Sequence, residues 1–404
     1  MSSYNIYNNI NSLDLILIGN PQITYFTTVY RRHTFFQIIR GTPQNVKTGE
    51  KVRVNREGAH LLKQVIVKMT INYSCSYIPP NIGTSMLDNI SYRFDNDEII
   101  EKISGKYIEI YNQLSTKPHC KSVYTQKNIG EDIEVASGDG LNHLSYSGGV
   151  YNSSGTFSGK ISIELPIPFS FSNSVGNAIP YFLSKDNELY IIAKLNDNEV
   201  TTFEEGANKL QIILEHIVLS ETEKNRFAKN NSEYILTRIY EVEWAALGER
   251  LSISQQNSYN SVKTLIWVKN NTADNSFSAN NYSFSIKINN MNITPYLNYQ
   301  YYTRVFPKKA GLIGYGRGLS SDSSMVCVDD SICYYTFGLK EGFDNEFDSP
   351  NGSINTSINQ LELFKHSDSS MDPITLYMLS YDIITYQKSG TPPILKFHSN
   401  RLHD

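Results

Sequence analysis

Cysteine, tryptophan and charge are all scarce in this chain of 404 residues, which has four cysteines, two tryptophans and 19% charged side chains. The cysteines (Cys75, Cys120, Cys327 and Cys333) form no CxxC pair, which argues against a disulfide scaffold. We expect reduced, mostly buried thiols. The apolar run Leu15–Ile18 is too short for a signal-peptide core or a membrane span, so we expect a soluble chain that is not secreted by the usual route.

An excess of basic charge is also missing. Lys and Arg number 36 against 40 Asp and Glu, which gives a net charge of −4. Proteins that coat nucleic acids usually carry a positive net charge, because they neutralise phosphates. The charge balance therefore argues against direct, sequence-specific binding of nucleic acid and leaves room only for a local basic patch.

Motifs of catalysis and metal binding are absent from the sequence. It contains no HExxH, no GxSxG nucleophile elbow and no paired Cys/His spacing. The glycine-rich run Gly314–Gly318 lacks the Lys-Ser/Thr end of a phosphate-binding loop, and we interpret it as a turn. We therefore predict that the protein is not an enzyme and uses no cofactor or metal.

Alternation of apolar and polar residues dominates what is present. In Lys63–Tyr73 the apolar residues fall on every second position, which is typical of a half-buried strand. Leu189–Leu195 and Leu210–Leu214 alternate in the same way. The further strand candidates are Val262–Lys269, Phe284–Asn289, Ile332–Leu339, Asn359–Phe364 and Ile374–Tyr386. Many short strands with turn residues between them predict an all-β sandwich or jelly roll.

Only two segments favour helices. Ser104 precedes apolar residues at helical spacing as far as Leu114, which predicts a helix with Ser104 as its N-cap. Ser220–Glu223 is a capping-box pattern that opens a short helix through Ala228.

The chain divides into two nearly equal halves. The strand-poor stretch Asn196–Asn208 is the best linker candidate, and we expect long surface loops at Asn128–Gly159 and Gly311–Asp330. Two halves of about 200 residues fit one sandwich each. We predict an N-terminal arm (1–24), a first jelly roll (25–200), a linker (201–208) and a second jelly roll (209–404). No sequence repeat links the halves.

The most specific feature lies near the N-terminus. Gly19–Phe26 (GNPQITYF) and Val29–Phe36 (VYRRHTFF) resemble the opening signature of the major capsid proteins of nucleocytoplasmic large double-stranded DNA viruses. The resemblance continues in order to Asn400. It is carried by Ile99–Tyr111, Leu165–Phe169, His216–Ile235, Val262–Val268, Pro350–Ser357, Ser380–Ile384 and Lys396–Asn400.

Three positions depart from the family pattern. Ser170 stands where an aromatic residue is usual, Thr356 replaces a phenylalanine, and Tyr301–Pro307 has no clear Arg-Phe-x-x-Arg stretch. These departures favour a divergent member and keep a minor capsid paralogue or an assembly scaffold open as alternatives. From another class, an all-β carbohydrate-binding module remains an alternative, which would need an exposed aromatic platform or a cation site.

The resemblance implies two consecutive jelly rolls and a homotrimer, whose six jelly rolls form a pseudo-hexagonal capsomer that tiles an icosahedral shell. It also implies assembly in the host cytoplasm into a virion. The implied partners are other copies, neighbouring capsomers, minor capsid proteins and the inner viral membrane face.

Two groups of residues are candidate sites. The signature segment contains Asn20, Pro21 and Gln22, followed by Arg31 and Arg32. The arginines either anchor carboxylates of a neighbouring subunit or pair within the chain. Because members of the family can carry surface glycans, the sequons in the loops are candidates for glycosylation. They begin at Asn152, Asn270, Asn281 and Asn292.

Overall fold

The computed structural model describes most of the chain after residue 35. The described residues are 36–54, 59–75, 77–78, 82–95, 98–115, 123–129, 132–142, 150–151, 157–183, 188–196, 208–229, 232–245, 249–253, 261–270, 277–278, 282–312, 316–319, 326–328, 331–338, 352–356, 358–366, 373–386 and 393–395.

Thirteen strands make up the first half of the described chain. They are β1 (Phe36–Arg40), β2 (Gln44–Asn45), β3 (Lys51–Arg53), β4 (Leu61–Cys75), β5 (Tyr77–Ile78), β6 (Leu87–Phe94), β7 (Ile99–Ser104), β8 (Val123–Ile129), β9 (Asp132–Asn142), β10 (Val150–Tyr151), β11 (Phe157–Pro166), β12 (Leu189–Leu195) and β13 (Lys209–Leu219).

The second half contributes another thirteen strands. They are β14 (Ser232–Trp244), β15 (Arg250–Ile253), β16 (Ser261–Asn270), β17 (Phe277–Ser278), β18 (Ser283–Ile288), β19 (Met291–Asn298), β20 (Gly316–Leu319), β21 (Val326–Val328), β22 (Ile332–Thr336), β23 (Ile354–Asn355), β24 (Leu361–His366), β25 (Ile374–Tyr386) and β26 (Ile394–Leu395).

The described helices are short. The α-helices are α1 (Ile82–Met86), α2 (Gly105–Ser115), α3 (Glu221–Lys229) and α4 (Phe306–Lys309), with a π-helix at Tyr301–Val305 and 3-10 turns at Ser170–Ser172, Val175–Asn177 and Tyr181–Leu183. Both predicted N-caps are confirmed. Ser104 Oγ accepts a hydrogen bond from the Tyr107 amide at 3.3 Å, and Ser220 Oγ accepts one from the Glu223 amide at 3.4 Å.

Each half of the chain forms a sandwich of two four-stranded layers. In the first sandwich β1-β13-β4-β11 faces β3-β12-β6-β7, and β2 adds to β13. In the second sandwich β14-β25-β16-β22 faces β15-β24-β18-β19, with β17 and β23 on β16 and β26 on β25. Eight strands in two antiparallel sheets are the arrangement of a jelly roll, so the predicted fold class is confirmed.

The two sandwiches are topologically equivalent, strand for strand. Taken in chain order, β1, β3, β4, β6, β7, β11, β12 and β13 occupy the same places as β14, β15, β16, β18, β19, β22, β24 and β25. A helix follows the fifth of these eight strands in both sandwiches, α2 after β7 and the π-helix with α4 after β19. The duplication is therefore a property of the fold, and the sequence does not repeat.

The predicted boundary between the halves is wrong. The prediction places Lys209–Leu219 in the second jelly roll, but β13 lies between β1 and β4 in the first sandwich. Residues 201–207 of the predicted linker lie outside the described residues. Strand alternation shows that β13 buries one face but not which sheet receives it. We place the division at α3, between Leu219 and Ser232.

Both predicted long loops contain strands. Asn128–Gly159 includes β9 and the start of β11, and Gly311–Asp330 includes β20 and β21. Their Gly-, Ser- and Asn-rich sequences have low strand propensity, which explains the wrong prediction. The two insertions are equivalent, because each lies between the helix after the edge strand and the next strand of the sandwich.

The sheet that contains β16, β22 and β25 is buried on both faces. Leu265 and Trp267 of β16 point into the core of the second sandwich, whereas Ile266 and Val268 pack with the core of the first. Strands β22 and β25 alternate between the two cores in the same way. One sheet thus serves two cores, and Trp267 is fully buried in the second of them.

Candidate assembly surfaces

The first surface of interest is the contact between the two sandwiches. Tyr107 of α2 lies against Tyr377 of β25, with ring centroids 5.7 Å apart, and Phe94 of β6 meets Tyr386 edge-on at 6.4 Å. All four side chains are buried. Aromatic rings in such arrangements stabilise an interface beyond the area that they bury. The sandwiches are therefore joined through packed apolar surface.

An ion pair is enclosed in this contact. Arg238 of β14 lies 3.4 Å from Asp382 of β25, and both residues are at most 3% exposed. The Arg238 guanidinium also donates to the backbone carbonyl of Ile99 in β7, at 3.4 Å. The Cζ atom of Arg238 lies 5.7 Å from the centroid of the Tyr240 ring. A buried pair of this kind adds little net stability, but the loss of one partner leaves an uncompensated charge.

A buried carboxyl lies next to this ion pair. Glu101 of β7 is 1% exposed and accepts hydrogen bonds from Ser170, at 3.1 Å from the amide and 2.8 Å from Oγ. Burial raises the pKa of Glu101 to about 8, although the bonds from Ser170 and the charge of Arg238 act in the opposite direction. The departure from the family pattern at Ser170 thus has a structural counterpart, since a phenylalanine there would have no hydroxyl to donate to Glu101.

The second surface consists of exposed edge strands. All five residues of β1 are exposed, and its Phe36, Ile38 and Ile39 are 42–46% exposed. On β19, Met291 is 69% and Tyr296 54% exposed. Seven of the nine large apolar side chains that are exposed in the described part of the chain lie on β1, on β19 or in the π-helix after it. Such concentrations of apolar surface mark interaction sites.

None of the five signature residues is among the residues that the structure describes. Asn20, Pro21, Gln22, Arg31 and Arg32 lie outside the described residues, so their role in assembly stays a prediction.

The sequons are partly described. Asn152 and Asn281 lie outside the described residues, and Asn270 ends β16. Asn292 is exposed on β19, but Thr294 of its sequon is buried, with Oγ1 2.8 Å from the Tyr302 hydroxyl and 3.0 Å from the Ile286 amide. That burial argues against modification of Asn292 after the chain has folded.

Sequence reasoning did not identify Glu101, Arg238 or Asp382. Arg238 and Asp382 are separated by 144 positions in the chain, and Glu101 and Ser170 by 69. Charged residues inside otherwise apolar strands were the available signal.

Within the described residues no three His, Cys, Asp or Glu side chains group as metal ligands. None of the described helices combines the length and the apolar character needed to cross a bilayer.

Comparisons with known proteins agree with this architecture. The family model described as "Major capsid protein N-terminus" matches residues 24–227. The major capsid protein of Pyramimonas orientalis virus is 24% identical, over 92% of this chain and 93% of that protein. Capsid protein 1 of Acanthamoeba polyphaga mimivirus is 26% identical over 63% of this chain, but the match covers only 46% of its own length.

Solved structures are similar over nearly the whole chain. VP54 of the virus PBCV-1 superposes with a TM-score of 0.66 at 16% identity, covering 93% of this chain and 100% of that structure. The Faustovirus major capsid protein gives a TM-score of 0.58 at 9% identity, covering 94% of each chain. At identities this low, the structural similarity shows a common fold alone.

Proposed function

The chain belongs to the major capsid protein family of nucleocytoplasmic large DNA viruses, and from this we propose that it forms a homotrimeric capsomer that tiles an icosahedral shell. The observation that carries the proposal is the topological equivalence of the two sandwiches. Three chains around a threefold axis bring together six equivalent sandwiches. Such a trimer has a nearly hexagonal outline and can pack against six neighbours.

Rigidity of the subunit supports the same function. A shell tile must keep its shape while neighbours press on it, and the sheet shared between two cores leaves no flexible hinge in the described contact. Interfaces between domains of one chain are commonly polar and allow relative motion unless they are large and apolar. The aromatic pairs between the sandwiches therefore favour a single rigid block.

The raised pKa of Glu101 has a structural explanation. A strongly shifted pKa inside a protein is often a sign of catalysis. Here the shifted group, Glu101, is bonded to Ser170 inside the contact between the sandwiches. We therefore assign the shift to packing and propose a structural, non-enzymatic protein.

The proposed partners are other copies, neighbouring capsomers, minor capsid proteins and the inner membrane face, with assembly in the host cytoplasm. Cross-linking mass spectrometry on purified virions tests these contacts. Cross-links between equivalent copies are expected to dominate, and a pattern confined to other proteins would contradict a tiling role.

The number of copies in a virion tests whether the chain is the main coat protein. Quantitative mass spectrometry of purified virions should find thousands of copies per particle if the chain tiles the shell. A few tens of copies would instead indicate a minor capsid paralogue, and absence from mature virions would indicate an assembly scaffold.

A further inference from the structure

His60 lies at the point where the chain leaves the first sandwich for the second. It immediately precedes β4, and its amide donates to the carbonyl of Ile217 in β13 at 3.0 Å. The amide of Leu219 in turn donates to Nδ1 of the His60 ring at 2.9 Å. Leu219 is the last residue of β13, and α3 begins two positions later at Glu221. One imidazole therefore holds the end of the strand from which α3, the connector to the second sandwich, starts.

The direction of the hydrogen bond from Leu219 determines the charge of the His60 ring. A backbone N–H can only donate, so Nδ1 of His60 must offer a free lone pair, and the ring is neutral with its proton on Nε2. A proton added to Nδ1 would place two donors against each other and leave the Leu219 amide without its acceptor. Leu219 is only 5% exposed, and an unpaired buried amide is unfavourable. The contact therefore requires a neutral imidazole.

The described surroundings of His60 favour the neutral ring. Burial lowers the pKa of His60 below its ordinary value, and the positive charge of Lys224 in α3 acts in the same direction. The carboxylate of Glu221 opposes them, but it is largely exposed and lies 3.3 Å from Lys224. The other elements packed against the ring bring no charge to it. The Phe182 ring meets it edge-on at 5.9 Å, and β13 presents the Leu219 amide.

A small apolar cluster links this contact to α3. The buried members of the cluster are Leu61, Ala178, Ile217 and Leu219. Phe227 of α3 packs against them and is half-buried. Among the nine residues of α3, all of them described, Glu223 alone is buried. The helix therefore depends on this cluster for its position, and a displacement of Leu219 reaches it directly.

We propose that His60 is an acid-sensitive latch, which holds the end of β13 and α3 against the first sandwich when its ring is neutral and releases them when its ring is protonated. The inference goes beyond the proposed coat function and does not depend on it, because every contact of the latch lies within one chain. The opening is local, since the rest of β13 stays paired with β1 and β4. A coat subunit with this latch loosens its connector in acid while both sandwiches stay folded.

The other histidine of this region, His216, is not constrained in the same way. Its Nδ1 lies 3.2 Å from the Tyr181 hydroxyl, which can donate to a neutral ring or accept from a charged one. Burial lowers the pKa of His216 as well, so an experiment in acid must separate the two rings. Variants of His60 that leave His216 in place achieve this.

Hydrogen–deuterium exchange of the full chain, measured by mass spectrometry near pH 7.5 and near pH 5.5, tests the latch. Because folding lowers the pKa of His60, the latch is complete above the ordinary pKa of histidine and weakens as the pH falls below it. With exchange times adjusted for the pH dependence of chemical exchange, peptides that span Leu219–Ala228 should lose protection about tenfold in acid. Peptides from the middle of β4 should keep theirs. The opposite pH dependence expected from Glu101 concerns global unfolding, whereas this readout is local.

Three variants assign the effect to His60. His60→Asn keeps an acceptor oxygen close to the position of Nδ1 but cannot take up a proton, so its protection should be the same at both pH values. His60→Ala removes the acceptor, so the same peptides should exchange quickly at both pH values, with no further loss in acid. His366→Asn is the matched control, because His366 is exposed on β24 in the second sandwich, and it should behave like the wild-type chain.

Two results would overturn the latch and leave the coat function untouched. One is wild-type protection that does not change between the two pH values, and the other is an equal loss in the wild-type and His60→Asn chains. Circular dichroism checks that each variant is folded. If His60→Asn is not, the alanine variant decides, because a loss in acid that persists without the imidazole contradicts the proposal in the same way.

Discussion

Replacing Arg238 with alanine is expected to lower the free energy of unfolding by about 3–5 kcal/mol, because it leaves Asp382 charged and buried without its partner. The same change removes the hydrogen bond to the Ile99 carbonyl, which links the two sandwiches. Urea denaturation at fixed protein concentration measures the effect, since assembly otherwise changes the apparent stability.

Two comparisons separate the buried charge from other causes. Arg226→Ala removes a solvent-exposed arginine that lies 3.8 Å from Glu223, and we expect a loss below about 1 kcal/mol. Arg238→Met combined with Asp382→Leu removes both buried charges and should restore most of the stability. A double variant as unstable as Arg238→Ala alone would show that shape, and not charge, dominates at this position.

Stability is expected to fall as the pH rises from about 4.5 to about 8, because folding raises the pKa of Glu101 over that interval. The folded chain holds the Glu101 proton, whereas the unfolded chain releases it near its ordinary pKa. The contribution is therefore complete below the unfolded pKa and is lost as the pH approaches the folded one. The loss is at most about 1.4 kcal/mol per pH unit.

Glu101→Gln isolates this contribution. The glutamine carbonyl can still accept the hydrogen bonds from Ser170, but the side chain cannot ionise. We expect the variant to match the wild-type chain near pH 5, to exceed it in stability near pH 8, and to show a flatter profile between these values. Equal slopes for the two chains in urea denaturation across this range would contradict the assignment.

Elements with strong local patterns could be predicted from the sequence. The alternation in Lys63–Tyr73 corresponds to β4, and the capped segment after Ser104 corresponds to α2. The alternating apolar residues of β4 are buried, and so are Tyr107, Ile110 and Leu114 of α2, so local periodicity carries the needed information. The capsid family was predicted from the resemblance of the segment near Gly19 to the family's opening signature, and that segment lies outside the described residues.

Properties that depend on distant partners could not be predicted. Strand β13 alternates like its neighbours, and only its pairing with β4 and β1 assigns it to the first sandwich. For the same reason, the sequence does not predict that β7 is mostly buried and β19 mostly exposed. Both are short edge strands with isoleucines, and their burial differs because the second sandwich covers only β7.

The charged residues in the contact illustrate the limit most clearly. Arg238 is preceded by Thr237 and followed by Ile239, and its position in the strand gives no sign of Asp382, 144 positions later. Register across β14 and β25 places Arg238 opposite Ser380 and Leu236 opposite Asp382, which brings the two charges together diagonally. That register follows from the whole sheet and not from either strand alone.

The assembly state of the purified full-length chain tests the coat function most directly. Electron microscopy combined with native mass spectrometry should find particles of nearly hexagonal outline whose mass is three times 45.9 kDa. Threefold-averaged images should resolve six similar lobes, one for each sandwich. A stable monomer at micromolar concentration, or a closed dimer with twofold symmetry, would contradict the account.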